Sequence, residues 1–162
     1  MLLLLVRHAH AGDRDPNQWP DDRDRPLTDK GRKTHRRVSR ALGKLELTPT
    51  RVLTSPWTRA AQTADILVTE LSIPQPPIEC AALAADPDLS RIADDIGEPG
   101  GDAIVALVGH SPWIEELAAM LLTGQASGLR MDYPKSGVMG IDVEKVGPGA
   151  GELRFFLRPK MV

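Results

Sequence analysis

The first ten residues, MLLLLVRHAH (1–10), contain the pattern that decides the fold. Residues 2–6 are continuously apolar, and Arg7 and His8 follow at once. A short run of this kind is typical of a central parallel strand that is buried on both faces. In open α/β sheets, ligands bind outside the carboxyl ends of the strands. We therefore expect Arg7 and His8 to lie at the ligand-binding edge of such a sheet.

Strand-like and helix-like segments alternate along the rest of the chain. Short apolar runs predict strands at residues 51–54, around Ile78, at 103–108 and twice within 136–156. Apolar residues at helical spacing predict helices that begin at Thr28, Ser55, Asp86 and Ser111. This alternation indicates an α/β fold. We expect a three-layer αβα architecture with a mostly parallel central sheet, in a single domain over residues 1–162 without a large insertion.

Two of the predicted helices begin with the same dipeptide directly after a strand. Ser55-Pro56 and Ser111-Pro112 each place Ser at the N-cap and Pro at the first helical position. A helix N-terminus has unpaired N–H groups and a partial positive charge, and both features favour bound anions. We expect both N-termini to point toward the edge of the sheet that carries His8.

Four basic side chains are expected at this edge: Arg7, His8, Arg59 and His110. Arginine donates paired hydrogen bonds to phosphate oxygens and stays charged. A histidine, with an ordinary pKa of about 6.5, is mostly neutral near neutral pH and can act as a nucleophile. The attacking nitrogen must be free, so the other ring nitrogen should donate to a backbone carbonyl. The set predicts phosphoryl transfer through a covalent phosphohistidine, with no metal or other cofactor.

The bulk composition excludes several classes of protein. The 162 residues are 41% apolar and have a formal net charge of −2, unlike a disordered chain. That charge gives no general attraction to nucleic acid or to an anionic membrane. No apolar run approaches the roughly 20 residues of a membrane helix. The single Cys80 suits a reducing compartment. We expect a cytoplasmic monomer or weak dimer that binds neither nucleic acid nor membrane.

Four segments, in order, resemble the motifs of the histidine phosphatase superfamily, whose fold is phosphoglycerate mutase-like. They are residues 6–9 (VRHA), 25–28 (RPLT) with the following Gly31, 54–64 (TSPWTRAAQTA) and 109–112 (GHSP). The resemblance covers nearly the whole chain. It implies that His8 is the nucleophile, and that Arg7, Arg59 and His110 bind the transferring phosphoryl group.

Two further residues are candidates for substrate binding. Ser111 opens the predicted helix that follows His110. Arg25 lies in a long polar segment, and it either extends the phosphate site or pairs with a neighbouring Asp, which is the simpler expectation. Lys135 can also approach the site, although no motif supports it.

The proton donor of the larger superfamily members has no clear counterpart. Those members have a Glu after the third strand that protonates the leaving oxygen. Here the region reads IECAALAAD (78–86), in which Glu79 falls within the strand and Asp86 can cap a helix. A residue of the loop 13–24 is the remaining candidate acid. A milder departure is Ala9, where the family usually has Gly.

The missing acid restricts the substrate. An alkoxide leaving group needs a proton donor, which contributes about 10²–10⁴-fold to the rate. An imidazole leaving group needs less help, because water can protonate it near neutral pH. The compact chain also lacks the insertions that cap sites for small metabolites. Both features resemble the SixA-type branch, which implies a phosphohistidine-bearing signalling or phosphotransfer protein as the substrate and partner.

Two other functions of a phosphate site remain open. A phosphatase for a small phosphorylated metabolite would use Asp86 or an Asp of the loop 13–24 as its acid. A phosphate-binding module without turnover is the second alternative, and the intact set of Arg and His residues argues against it. The basic segment 30–40 is expected to be a solvated helix face, with a docking surface for an acidic partner as the alternative.

The residues available disfavour metal catalysis and exclude a serine hydrolase. His8 and His10 have the spacing of a metal-binding pair, but only His35 and His110 remain as further histidine ligands. The segment GHSPW (109–113) resembles the nucleophile elbow of serine hydrolases. Its serine is followed by proline, which has no N–H for an oxyanion hole, and no later histidine can serve as the base.

Overall fold

Six strands and four α-helices alternate along the chain, and the computed structural model describes all residues from 1 to 162. The strands are β1 (Leu2–Arg7), β2 (Arg51–Thr54), β3 (Ile78–Glu79), β4 (Ile104–Gly109), β5 (Val138–Val143) and β6 (Gly151–Leu157). The helices are α1 (Asp29–Lys44), α2 (Thr58–Glu70), α3 (Leu89–Ile96) and α4 (Trp113–Thr123). Short 3₁₀ turns occur at Asp22–Asp24, Ala81–Ala84 and Pro159–Met161. No helix combines the length and the apolar character that crossing a membrane requires.

The strands form one sheet in the order β3-β2-β4-β1-β5-β6. The first four strands in this order are parallel, whereas β5 runs antiparallel to β1 and β6 antiparallel to β5. β1 pairs along its length with β4, from Leu2 opposite Ile104 to Arg7 opposite Gly109. The predicted mostly parallel sheet is confirmed, with the apolar opening run as a central strand.

Alternate residues of β1 enter two separate cores, because successive side chains of a strand point to opposite faces. Leu3 and Leu5 pack with α3 and α4, and Leu4 and Val6 pack with α1 and α2; none of the four is exposed. Helices therefore cover both faces of the sheet. The predicted three-layer αβα fold is confirmed.

The ends of three helices differ from the sequence prediction, although Thr28 caps α1 as expected by accepting a bond from the Gly31 N–H at 3.1 Å. α2 begins at Thr58 and α4 at Trp113, so neither Ser55 nor Ser111 is the N-cap. α3 begins at Leu89 rather than at Asp86, and Asp88 caps it.

The serines are not caps because other partners take their hydroxyl groups. The Ser55 hydroxyl lies 2.7 Å from a ring nitrogen of His110 and accepts from the Trp57 N–H at 3.2 Å. The Ser111 hydroxyl donates to Glu115 at 2.6 Å. Each Ser-Pro pair forms a turn between strand and helix, which brings Ser55 into the site described next.

Candidate active site

The carboxyl ends of β1 and β4 lie side by side and carry two histidines. Arg7 pairs with Gly109 in the sheet, so the residues that follow, His8 and His110, are neighbours. The His8 N–H donates to the Gly109 carbonyl at 3.0 Å, and the two ring centroids are 5.1 Å apart. The sheet register thus brings together two residues that are about 100 positions apart in the chain.

His8 is held in one ring orientation. Its Nδ1 lies 2.7 Å from the Ala9 carbonyl oxygen, so Nδ1 carries the proton and donates it, and Nε2 keeps a free lone pair. Burial, with a further contribution from the neighbouring His110, lowers the pKa of His8 from its ordinary 6.5 to about 2. The ring is therefore neutral at neutral pH, as an attacking nitrogen requires. This arrangement is the one that the sequence argument demands of a nucleophilic histidine.

Arg7 is fixed by the segment that precedes β5. Its guanidinium donates to the Tyr133 carbonyl, and its backbone N–H donates to the Gly137 carbonyl at 3.1 Å. The Ser136 N–H donates in return to the Arg7 carbonyl at 3.0 Å. Nε of Arg7 is buried and has no hydrogen-bond partner within the protein, so it remains available as a donor.

Arg59, in the first turn of α2, is only 4% exposed and is held by Asp22. Its guanidinium donates to the Asp22 carbonyl at 2.7 Å and approaches the Asp22 carboxylate at 3.1 Å. It also lies over the Trp57 ring, with its central carbon 4.7 Å from the ring centroid. Its buried Nε, like that of Arg7, has no partner.

His110 is 2% exposed and contacts Ser55 through Nε2. Its Nδ1 is buried without a partner. Burial, followed by the charge of Arg59, lowers the pKa of His110 to about 3. The predicted Arg7, His8, Arg59 and His110 thus surround one region with unused nitrogen atoms. Their roles as nucleophile and phosphate ligands remain predictions.

Arg25 and Ser111, the other predicted binding residues, already have partners. Arg25 donates to the Asp22 carboxylate at 2.8 Å and to the Gly12 carbonyl at 2.7 Å, which is the internal pairing that we considered the simpler expectation. Ser111 is exposed and bonded to Glu115. Arg25 positions Asp22, and through Asp22 it helps to hold Arg59.

Of the candidate carboxylic acids, Asp22, Asp86 and Glu79 show no feature of a proton donor. A hydrogen bond from Arg25, with added attraction from Arg59, lowers the pKa of Asp22 and keeps it ionised. Asp86 accepts a bond from the Trp113 indole at 3.0 Å, and Glu79 is exposed on β3.

Two further residues of the candidate site have little signal in the sequence. Sequence reasoning assigned Ser55 to a helix cap and placed Lys135 near the site without a supporting motif. Ser55 looked like a helix cap, and only the sheet register reveals His110 beside it. Lys135 is half-buried in the turn whose neighbours bind Arg7 and His8, and it has no acidic partner. Burial, followed by the charge of Arg7, lowers the pKa of Lys135. A lone Lys in a turn carries no sequence signal for such a position.

The histidines do not form a metal cluster. His10 turns away from His8, and its Nδ1 bonds to the Thr28 hydroxyl at 2.9 Å. His35 is fully buried within α1. No three His, Cys, Asp or Glu side chains lie close enough together to hold a metal ion.

Known proteins share both the sequence and the fold of this chain. The sequence profile of the histidine phosphatase superfamily (branch 1) matches residues 3–84, just over half of the chain. His110 lies beyond this match. A protein of uncharacterized function from Picosynechococcus sp. is 36% identical over 143 residues, which cover 87% of this chain and 84% of that protein.

Two solved structures illustrate the range of similar proteins. The protein histidine phosphatase SixA complexed with tungstate has a TM-score of 0.83 at 23% identity and covers 99% of both chains. A phosphoserine phosphatase variant from Entamoeba histolytica with bound phosphoserine has a TM-score of 0.71 at 13% identity and covers 98% of both chains. At these identities the likeness establishes the phosphoglycerate mutase-like fold and leaves the substrate undecided. The profile match over more than half of the chain establishes the family: the chain belongs to the histidine phosphatase superfamily (branch 1).

Proposed function

We propose that this phosphatase removes the phosphoryl group from phosphohistidine on a partner protein, through a covalent intermediate on His8. The observation that carries the proposal is the state of His8. Its Nδ1–H is bonded to the Ala9 carbonyl, and Nε2 is unprotonated beside two arginines and a second histidine. The free Nε2 also argues against a module that only binds phosphate.

In the first step, Nε2 of His8 forms a bond to phosphorus while the P–N bond of the substrate breaks. The electron pair of that bond returns to the imidazole of the substrate. If the other nitrogen of that ring is already protonated, which an ordinary pKa of about 6.5 allows near neutral pH, the imidazole leaves as a neutral molecule. Arg7, Arg59 and His110 stabilise the negative charge on the equatorial oxygens of the transition state.

In the second step, water attacks the phosphorus of the phosphorylated His8. The new P–O bond forms, the P–N bond to Nε2 breaks, and its electron pair returns to the ring. Dihydrogen phosphate leaves and His8 is neutral again, so neither step consumes a proton from an acidic side chain.

The condition of the carboxylates supports a P–N rather than a P–O substrate. Asp22 is held as an anion between two arginines, and Asp86 is bonded to Trp113. Release of an alkoxide without a positioned acid would forgo about 10²–10⁴-fold in rate. The competing function is hydrolysis of a small phosphomonoester, which the similarity in fold to a phosphoserine phosphatase keeps in consideration.

We further propose that the substrate is a phosphohistidine-bearing signalling or phosphotransfer protein in the cytoplasm. The single domain of residues 1–162 acts without a metal or other cofactor, as a monomer or weak dimer, and engages neither nucleic acid nor membrane.

The test compares kcat/KM on two synthetic peptides of identical sequence, one with phosphohistidine and one with phosphoserine at the same position. After subtraction of uncatalysed hydrolysis, we expect at least about a 100-fold preference for phosphohistidine. A positioned general acid contributes roughly 10²–10⁴-fold to the rate, and only the phosphoserine reaction depends on it. EDTA should leave both rates unchanged. A preference for phosphoserine, or inhibition by EDTA, would contradict the proposal.

A further inference from the structure

α1 carries a concentration of positive charge that the active site does not use. Its 16 residues include seven Lys or Arg and one Asp, a net charge of +6. Because the whole chain has a formal net charge of −2, the rest of the molecule carries −8. We call the side chains on its outward side the α1 basic face. They are Lys30, Arg32, Lys33, Arg36, Arg37 and Arg40.

Only part of this face is neutralised within the protein. Glu70 of α2 approaches Arg36 at 3.7 Å and Arg40 at 2.6 Å. Lys30 and Lys33 are exposed and have no acidic partner. Arg32 and Arg37 have no acidic partner either, because they bond to uncharged groups. Three of these four cations lie within the first five residues of α1, so most of the unneutralised charge is at its N-terminal end.

That end of α1 touches the segment that follows the nucleophile. The Thr28 N–H donates to the His10 carbonyl at 3.0 Å, and its hydroxyl bonds to the His10 ring. Gly31 approaches so closely that a β-carbon there would lie 2.1 Å from the His10 carbonyl oxygen. Burial and the charges of Lys135 and Lys30 lower the pKa of His10. The α1 basic face therefore begins at the rim of the site and runs away from it for about 15 Å, at roughly 1.5 Å per residue from Lys30 to Arg40.

An open groove along this face has a volume of about 860 Å³ and is lined by no apolar side chain. Such a surface suits charged groups and is unsuited to an apolar helix or strand. The −8 carried by the rest of the molecule disfavours a long polyanion such as nucleic acid, which would extend beyond the face.

We propose that the α1 basic face docks an acidic surface of the phosphorylated partner protein and presents its phosphohistidine to His8. This inference rests on the proposed function and adds the chemistry of the partner around the phosphorylated residue. Complementary charge raises the rate of encounter by about 10–10³-fold in favourable cases. It also fixes the orientation in which the partner binds.

The test uses two phosphohistidine peptides that differ only in the flanking run, which is glutamate in one and glutamine in the other. We expect the wild-type protein to prefer the glutamate peptide by at least about tenfold in kcat/KM at low salt. The preference should vanish near 1 M NaCl, where the Debye length is about 3 Å. It should also vanish in Lys30→Glu/Lys33→Glu, while the glutamine peptide is hydrolysed at the wild-type rate.

Lys145→Glu/Arg154→Glu is the matched control. It makes the same change in net charge on two exposed residues, one on β6 and one in the connection that precedes β6, away from the carboxyl end of β1 and from the α1 basic face, and it should keep the preference. Equal rates for the two peptides, or an equal loss of preference in both double variants, would overturn the docking proposal. So would single-stranded DNA that competes more strongly than the glutamate peptide.

The same flanks on phosphoserine peptides separate this inference from the proposed function. If only the phosphoserine pair is hydrolysed, the proposed substrate is wrong. The preference for the glutamate flank then still decides whether the face docks an acidic partner.

Discussion

Replacement of Ser55 by Ala tests how His110 is positioned. Ser55 is fully buried, and its hydroxyl lies 2.7 Å from Nε2 of His110, whose other ring nitrogen has no partner. The variant leaves Nε2 unpaired as well, which costs about 1–3 kcal/mol of folding free energy. The ring also loses the contact that fixes its orientation. A misplacement of about 1 Å at a reacting centre can cost about 100-fold in rate, so we expect kcat to fall 10–100-fold.

Ser39→Ala is the matched control. Ser39 is also fully buried and hydrogen-bonded, since its hydroxyl donates to the His35 carbonyl at 2.9 Å, but it lies in α1 away from the site. Urea unfolding gives the stability of both variants, and steady-state kinetics on a phosphohistidine peptide give kcat and KM. Ser39→Ala should leave kcat unchanged and alter stability little, because the His35 carbonyl keeps the backbone hydrogen bond of the helix. If Ser55→Ala keeps kcat within twofold of wild type, His110 does not depend on Ser55.

Three further predictions follow from burial and close contacts. The pKa of His8 is lowered to about 2, so below pH 6.5 the unfolded chain binds a proton that the folded chain does not. The contribution of the neutral His8 to stability is therefore fully present above pH 6.5 and is lost as the pH falls. Between pH 6.5 and 5.5 the free energy of unfolding, measured with urea, should fall by about 1 kcal/mol less in His8→Ala than in the wild type. An equal fall in the two proteins would show that His8 is not kept neutral. Gly31→Ala should unfold the protein or cost several kcal/mol, because its β-carbon would lie 2.1 Å from a backbone oxygen. Gly43→Ala should be tolerated, because its β-carbon would meet only the flexible end of a Leu side chain at 3.0 Å. Equal thermal stability of the two variants would refute the close contact at Gly31. Lys135→Ala should weaken inhibition by inorganic phosphate, the expected product, about tenfold, because a cation close to Arg7 attracts the same anion. Unchanged inhibition would place Lys135 outside the site.

The sequence was sufficient to predict the parts of the fold that depend on local pattern. The apolar run before Arg7 behaves as a central strand, since each of its faces meets a helical layer. Thr28 caps α1, because the bond from the Gly31 N–H to its hydroxyl joins residues only three positions apart. The predicted Nδ1–carbonyl bond of His8 is found as well, and it too is local, because its partner is the carbonyl of the next residue, Ala9.

What sequence reasoning missed depends on contacts between distant residues. Ser55 has the local signature of a helix cap, but a neighbouring strand supplies His110, and the tertiary bond replaces the cap. Asp22 lies only three residues from Arg25, and the expected pairing of Arg25 with a neighbouring Asp is found. The chain folds back so that the same Asp22 also holds Arg59, and no spacing rule connects residues 22 and 59. Such pairings arise from the path of the loop, which has no periodic pattern.

The central claim is that His8 carries the phosphoryl group during turnover. The most direct measurement is rapid quenching of the protein with a phosphohistidine peptide, followed by mass spectrometry of the peptide that contains His8. The account predicts a gain of one phosphoryl group on His8 that is lost in acid and stable in base, and that is absent together with turnover in His8→Ala. Wild-type turnover without a phosphorylated His8, or a His8→Ala variant that remains active, would contradict it.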